Sequence, residues 1–265
     1  DVYKRQPGHQ ILYEELISED HRYARFAANH VTPHFGVIES DGHVLHYRLT
    51  PPAAPQGKHP TIVYVYGGPG AQKVRRDWGT LLVQMFAQQG YGVLELDNRG
   101  STNRGRLFEA GLYKRMGSIE VDDQVLGLSL LTHEPWADLD RVGVFGHSYG
   151  GYMSLMCLCQ AGKHFKAGVA VAPVADWQLY DSHYTERFMG LPDKDAEAYA
   201  ASSVIPHLPN LERPLLLMHG MADDNVLFIH STMLMSKLQQ LGKPFELMTY
   251  PGAKHSMQET HVSIP

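Results

Sequence analysis

The 265-residue sequence predicts an α/β domain with a mostly parallel, eight-stranded sheet and helices on both faces. Short apolar runs bounded by turn residues alternate with segments whose apolar positions recur every three or four residues, the alternation that builds βαβ units. A hairpin pattern ahead of them supplies two further strands. The composition is 43% hydrophobic and 19% charged, and a chain of this length buries roughly three-quarters of its unfolded surface in one core.

Residues 1–34 keep neither a period of two nor one of 3.6, although LYEELI and RYARFAANH each suit a helical turn or two. They read as a lead-in from a missing upstream region. The opening DVYKRQ (1–6) resembles the junction strings at the ends of assembled environmental reads and is given no structural meaning. From residue 35, FGVIES, the turn Asp41-Gly42 and HVLHYRLT predict an antiparallel hairpin. The linker PPAAPQGKHP follows. Six strands are then expected at 61–66, 91–97, 141–146, 167–172, 214–219 and 245–250. Between them WGTLLVQMFAQQG, VDDQVLGLSLLTHE, YMSLMCLCQAG and FIHSTMLMSKLQQLG carry helical spacing. Residues 173–213 form a strandless insertion rich in Tyr and Trp, where such folds carry a lid or a substrate pocket.

A net charge of −5 leaves no basic surplus for a phosphate backbone, so no nucleic-acid partner is expected. No stretch approaches the roughly 18 apolar residues of a membrane span, and the N-terminus lacks the apolar block of a signal peptide. Cys157 and Cys159 sit two apart on an expected helix, where their side chains diverge.

The run RVGVFG leads directly into Gly146-His147-Ser148-Tyr149-Gly150-Gly151 and then a helical pattern. Gly-x-Ser-x-Gly at a strand-to-helix turn is a nucleophile elbow: glycines allow the sharp turn and the Ser hydroxyl is lifted into the open. This points to the α/β-hydrolase fold with Ser148 as nucleophile. A nucleophilic serine needs a base, and the base needs an acid to orient it, in the chain order Ser, acid, His. The loop after the seventh strand offers Asp223 and Asp224, between which spacing does not choose. The loop after the eighth offers His255, singled out among 16 histidines by its place at a strand's carboxyl end. His147 beside the serine and His219 at a strand end read as structural or supporting. Acyl transfer also needs oxyanion donors. The Tyr149 N–H supplies one by position, and Tyr66-Gly67-Gly68-Pro69-Gly70 supplies another through a glycine N–H or the Tyr66 hydroxyl. No metal-ligand spacing and no phosphate-binding loop occur, so neither metal nor cofactor is expected.

The segments VYVYGGPGAQ, GHSYGGYM, APVADWQLYDSHYTERFMGLP, LLLMHGMADDNVLF and MTYPGAKH together resemble the dipeptidyl peptidase IV-like catalytic domains of the prolyl oligopeptidase family, over about residues 35–255. Position by position, the resemblance implies Ser148, Asp223 and His255 as the triad. It further implies Tyr66 and Tyr149 as the oxyanion hole, Asn225 on a substrate carbonyl, and a proline pocket of Tyr149, Val174, Trp177, Tyr180, Tyr184 and Val226. The implied activity is hydrolysis of peptide substrates after Pro or Ala, releasing N-terminal Xaa-Pro dipeptides through an acyl-enzyme. A prolyl endopeptidase, an acylaminoacyl peptidase, a carboxylesterase and an inactive binding fragment are the alternatives. The family adds an upstream β-propeller, often a homodimer, and a periplasmic or secreted setting. Family members also continue past the histidine into a long helix, so residues 35–265 read as a peptidase domain truncated at its C-terminus.

Overall fold

A computed structural model describes residues 24–27, 29–77 and 79–257. Two short helical turns were expected near the N-terminus; one is α1 (Ala24–Ala27), and the LYEELI segment lies outside the described residues. The hairpin forms as β1 (His34–Ser40) and β2 (His43–Thr50), with Asp41 and Gly42 both at positive φ in the turn. Then come β3 (His59–Tyr64), α2 (Leu81–Gln88), β4 (Gly92–Asp97), α3 (Arg106–Glu109), α4 (Ile119–Gly127), β5 (Ala137–His147), α5 (Tyr149–Gln160) and β6 (Ala167–Val171). The insertion carries α6 (Ser182–Met189) and α7 (Ala196–Ser202), and β7 (Leu215–Gly220), α8 (Ile229–Gln240) and β8 (Glu246–Tyr250) follow. The strands form one sheet in the order β1-β2-β4-β3-β5-β6-β7-β8, parallel from β4 to β8, with β2 antiparallel to both its neighbours. The expected fold class therefore holds.

Beyond shifts of up to three residues at element ends, such as β3 at 59–64 rather than 61–66, two elements differ in extent from the sequence expectation. The VDDQVLGLSLLTHE segment divides: α4 stops at Gly127 and a 3₁₀ helix spans Leu128–His133. The Ser129 and Thr132 hydroxyls donate to the carbonyls of Leu126 and Ser129, three residues back, which favours the tighter winding. Strand β5 begins at Ala137 rather than at Arg141, because its pairing with β3 resumes there across an irregularity opposite His59 and Thr61.

The core lies on both sides of β3, β5 and β6. Helix α5 is buried from Tyr149 through Cys159, which is why its sequence is apolar all round rather than along one stripe. Cys157 and Cys159 are free thiols inside it, and burial raises both above the usual thiol range.

At the antiparallel end, Arg48 on β2 stands directly opposite Glu95 on β4. Its Nε and Nη2 meet the two carboxylate oxygens at 2.6 and 2.9 Å, and Nη1 reaches Asp77 at 2.9 Å. The pair is almost wholly buried. Removing one partner leaves the other charge uncompensated, so Arg48→Met is expected to lower unfolding free energy by about 3–5 kcal/mol. Urea denaturation of the variant measures it, and a loss under about 1 kcal/mol would contradict the assignment.

Candidate active site

Ser148 ends β5 and begins α5 with φ 63° and ψ −120°, a left-handed strand-to-helix turn that a non-glycine residue adopts only under constraint. The constraint is packing. A Cβ at Gly146 would lie 2.2 Å from the Gly150 carbonyl oxygen, one at Gly150 2.3 Å from the Val65 oxygen, and one at Gly151 2.6 Å from the Val171 oxygen. Each glycine of the motif thus permits a backbone crossing. The Ser148 N–H is in turn held by the Val171 carbonyl at 2.9 Å.

The structure brings three of the expected residues into line. Ser148 Oγ lies 3.0 Å from His255 Nε2, and His255 Nδ1 lies 2.7 Å from Asp223 Oδ2. Asp223 is buried and its Oδ1 accepts from the N–H groups of Asn225 (2.9 Å) and Val226 (3.0 Å). Its neighbour Asp224 points outward and pairs with Lys254 at 2.7 Å on the surface, so geometry separates two residues that spacing could not. Burial alone would raise the Asp223 pKa. Hydrogen bonds from His219, His255 and the Asn225 amide outweigh it and hold the carboxyl well below the ordinary range.

The two loops that meet here are fastened to each other. Met221 and Ala222 donate to the carbonyls of Tyr250 and Ala253 at 3.0 Å, and a Cβ at Gly220 would stand 2.4 Å from the Ala253 oxygen. His147 Nε2 donates to the His255 carbonyl at 2.8 Å, with the two rings 4.6 Å apart. Burial lowers the His147 pKa and favours the neutral ring.

His219 is fully buried at the end of β7. Its Nε2 faces both Asp223 Oδ2 (3.1 Å) and the Val226 carbonyl (2.9 Å), so that nitrogen carries the proton, and Nδ1 accepts from Ser231 Oγ at 2.7 Å. Asp223 is consequently held by two imidazoles.

Tyr66 lies just past β3, beyond Val65, which still donates to Phe145. The next residue, Gly67, has φ +81°, and its carbonyl accepts from Asn98 Nδ2 at 3.0 Å. Gln124 donates to Asn98 Oδ1 at 2.9 Å. Burial raises the Tyr66 phenol pKa, so it stays a proton donor at neutral pH. Tyr149 begins α5, and its N–H is among the orphan donors of a helix N-terminus. Its ring is 6.1 Å from that of Tyr66.

The insertion opens with two capped turns. Asp176 accepts from the Gln178 N–H at the 3₁₀ turn Trp177–Leu179, and Asp181 accepts from the Tyr184 N–H at the start of α6. These turns place Trp177 against Tyr149 (5.4 Å between ring centroids), Tyr180 (5.9 Å) and Tyr184 (6.2 Å). Tyr180 Oη donates to Asn225 Oδ1 at 2.7 Å, joining the insertion to the acid loop. Val174, Trp177 and Val226 are buried and Tyr180 and Tyr184 half-buried. All six expected pocket side chains, with Asn225, therefore lie on these two loops and the start of α5.

Sequence reasoning did not find Glu120. This fully buried carboxylate on the first turn of α4 accepts from Tyr149 Oη and the Gly117 N–H, each at 2.8 Å, and from the Ser118 N–H at 3.0 Å. Burial pushes its pKa up to about 7 against those hydrogen bonds. In IEVDDQ it reads as one acid among several on a solvated helix, and no spacing rule would have found it.

This sheet order, with a serine at the strand-to-helix elbow and a histidine and carboxylate on successive loops, defines an α/β-hydrolase. A model of the prolyl oligopeptidase family matches residues 79–264. Dipeptidyl peptidase 8 of Homo sapiens is 44% identical over 211 residues, covering 77% of this chain and 24% of that protein. The Mus musculus dipeptidyl peptidase 8 matches to the same extent. The crystal structure of Porphyromonas gingivalis dipeptidyl peptidase 4 superposes with a TM-score of 0.82 at 35% identity, covering 90% of this chain and 34% of that one. The chain belongs to the prolyl oligopeptidase family, and it spans about a quarter of the length of these curated relatives.

Proposed function

We propose that the chain is the catalytic part of a serine peptidase that cleaves after Pro or Ala and releases N-terminal dipeptides. The observation that carries this reading is the continuous line Ser148 Oγ, His255, Asp223 at the elbow. Ser148 Oγ attacks the scissile carbonyl as His255 Nε2 takes its proton, and Asp223 stabilises the resulting imidazolium. The tetrahedral oxyanion is met by the Tyr149 N–H and the Tyr66 hydroxyl. His255 then protonates the leaving amine, an acyl-enzyme remains on Ser148, and water releases it by the reverse proton path. Aromatic faces of Tyr149, Trp177, Tyr180 and Tyr184, with Val174 and Val226, suit the flat apolar ring of proline, and Asn225 offers its amide to a substrate carbonyl.

In this reading residues 35–265 are the peptidase unit. Residues 7–34 lead in from a β-propeller that supplies the acidic grip on the substrate's free amino group, in a family whose members often form homodimers. The names of the relatives support the dipeptidyl specificity, and their greater lengths leave room for a further domain. Among the described residues no helix is long and apolar enough to cross a membrane.

The test compares Gly-Pro anilide with its N-acetylated form on the full-length protein. Preference for the free amine is expected. Preference for the acetylated substrate would instead indicate the acylaminoacyl or endopeptidase reading, and preference for simple aryl esters the carboxylesterase one.

A further inference from the structure

Tyr149 combines two functions of the proposed site in one residue, since its peptide N–H faces the oxyanion and its ring walls the proline pocket. The ring can tilt about its side-chain bonds without moving the N–H, so an error in that tilt reaches the pocket and leaves the oxyanion donor in place. Apolar packing limits the tilt: a Cβ at Gly68 would come within 2.7 Å of Tyr149 Cγ, and the rings of Tyr152 and Trp177 stand at 5.2 and 5.4 Å. At the tip of the ring the phenol donates to Glu120 Oε1 at 2.8 Å. Glu120 is itself set by the backbone, through the N–H groups of Gly117 and Ser118 on its two oxygens. A carboxylate with no solvent exposure is costly to keep unless it is hydrogen-bonded, and here three donors meet it, which an apolar side chain would leave unpaired.

We infer that Glu120 is a positioning residue, which fixes the Tyr149 ring through its hydroxyl and thereby tunes the pocket for proline over alanine. The inference rests on the proposed peptidase reading. Proline's ring reaches the aromatic wall while alanine's methyl stops short of it, so a loosened Tyr149 penalises proline substrates more. Glu120→Gln keeps the side-chain volume but in either orientation sets its NH₂ against a backbone N–H, that of Gly117 or Ser118, and so displaces the group that holds Tyr149, and Tyr149→Phe removes the tie alone.

The experiment is a double-mutant cycle on the full chain, with kcat/KM measured for Gly-Pro and Gly-Ala anilides and Ser148 labelling by a fluorophosphonate as control. Each single variant is expected to lose about tenfold on Gly-Pro and markedly less on Gly-Ala. The double variant should lose less than the two single losses combined, because both changes act on the Tyr149–Glu120 tie. An unchanged Pro/Ala ratio, or losses that add, would overturn the inference. If Glu120→Gln fails to fold, the Pro/Ala ratio of Tyr149→Phe decides alone. Labelled wild type with an unchanged ratio defeats only this inference, whereas unlabelled, inactive wild type defeats it together with the peptidase reading.

Discussion

Ser148→Ala is expected to abolish fluorophosphonate labelling and to lower kcat on Gly-Pro anilide by about a millionfold, the scale seen when a triad nucleophile is removed. The size follows from the geometry. Ser148 Oγ is the hydroxyl that His255 Nε2 faces at 3.0 Å, and the turn presenting it is closed by three glycines whose crossings leave no room for adjustment. Some rate above that of water should survive, because the Tyr149 N–H and the pocket are left in place. Peptide mass spectrometry of the labelled protein locates the adduct. An adduct elsewhere, or a variant that still labels, would sink the assignment of the nucleophile.

The second large effect is expected at the acid. Asp223→Asn should reduce kcat by about ten-thousandfold with little change in KM, since the amide would favour the wrong His255 tautomer. Asp224→Asn should stay within about twofold, because its exposed pairing with Lys254 contributes little. The two aspartates are adjacent in sequence, so this pair of variants is a stringent comparison. Equal losses in both would show that the loop matters only as a whole. His219 gives the Asp223 loss a further cause: the mutant amide could turn its NH₂ toward the His219 Nε2–H, which is already committed as a donor.

Much of this architecture was legible because its causes are local. Alternating apolar runs and helical spacings locate the strands, and the elbow announces itself through glycines that a Cβ would make impossible. The order of Ser148, the acid loop and His255 along the chain follows from the parallel sheet that carries them. What pattern and spacing alone left open is non-local. The choice between Asp223 and Asp224 depends on which carboxylate the His255 loop meets, and that contact joins residues 32 apart. Glu120 meets Tyr149 across 29 residues, and its partners at Gly117 and Ser118 are backbone groups with no signature of their own. The break after Gly127 turned on hydroxyls bonding back along their own helix, which periodicity cannot register.

Among the described residues β8 pairs only with β7, while β5 is paired on both sides and backed by the buried α5. Leu247 and Met248 on β8 are 43% and 47% exposed. Among the described residues, then, the serine follows a doubly paired strand and its base follows an edge strand. Peeling β8 from β7 would carry His255 away while Ser148 stayed seated. Heat or denaturant would then part His255 from Ser148 before the rest of the sheet unfolds. Native-state hydrogen exchange would show β8 amides opening early, and the amides of β5 and α5 opening only with the whole domain.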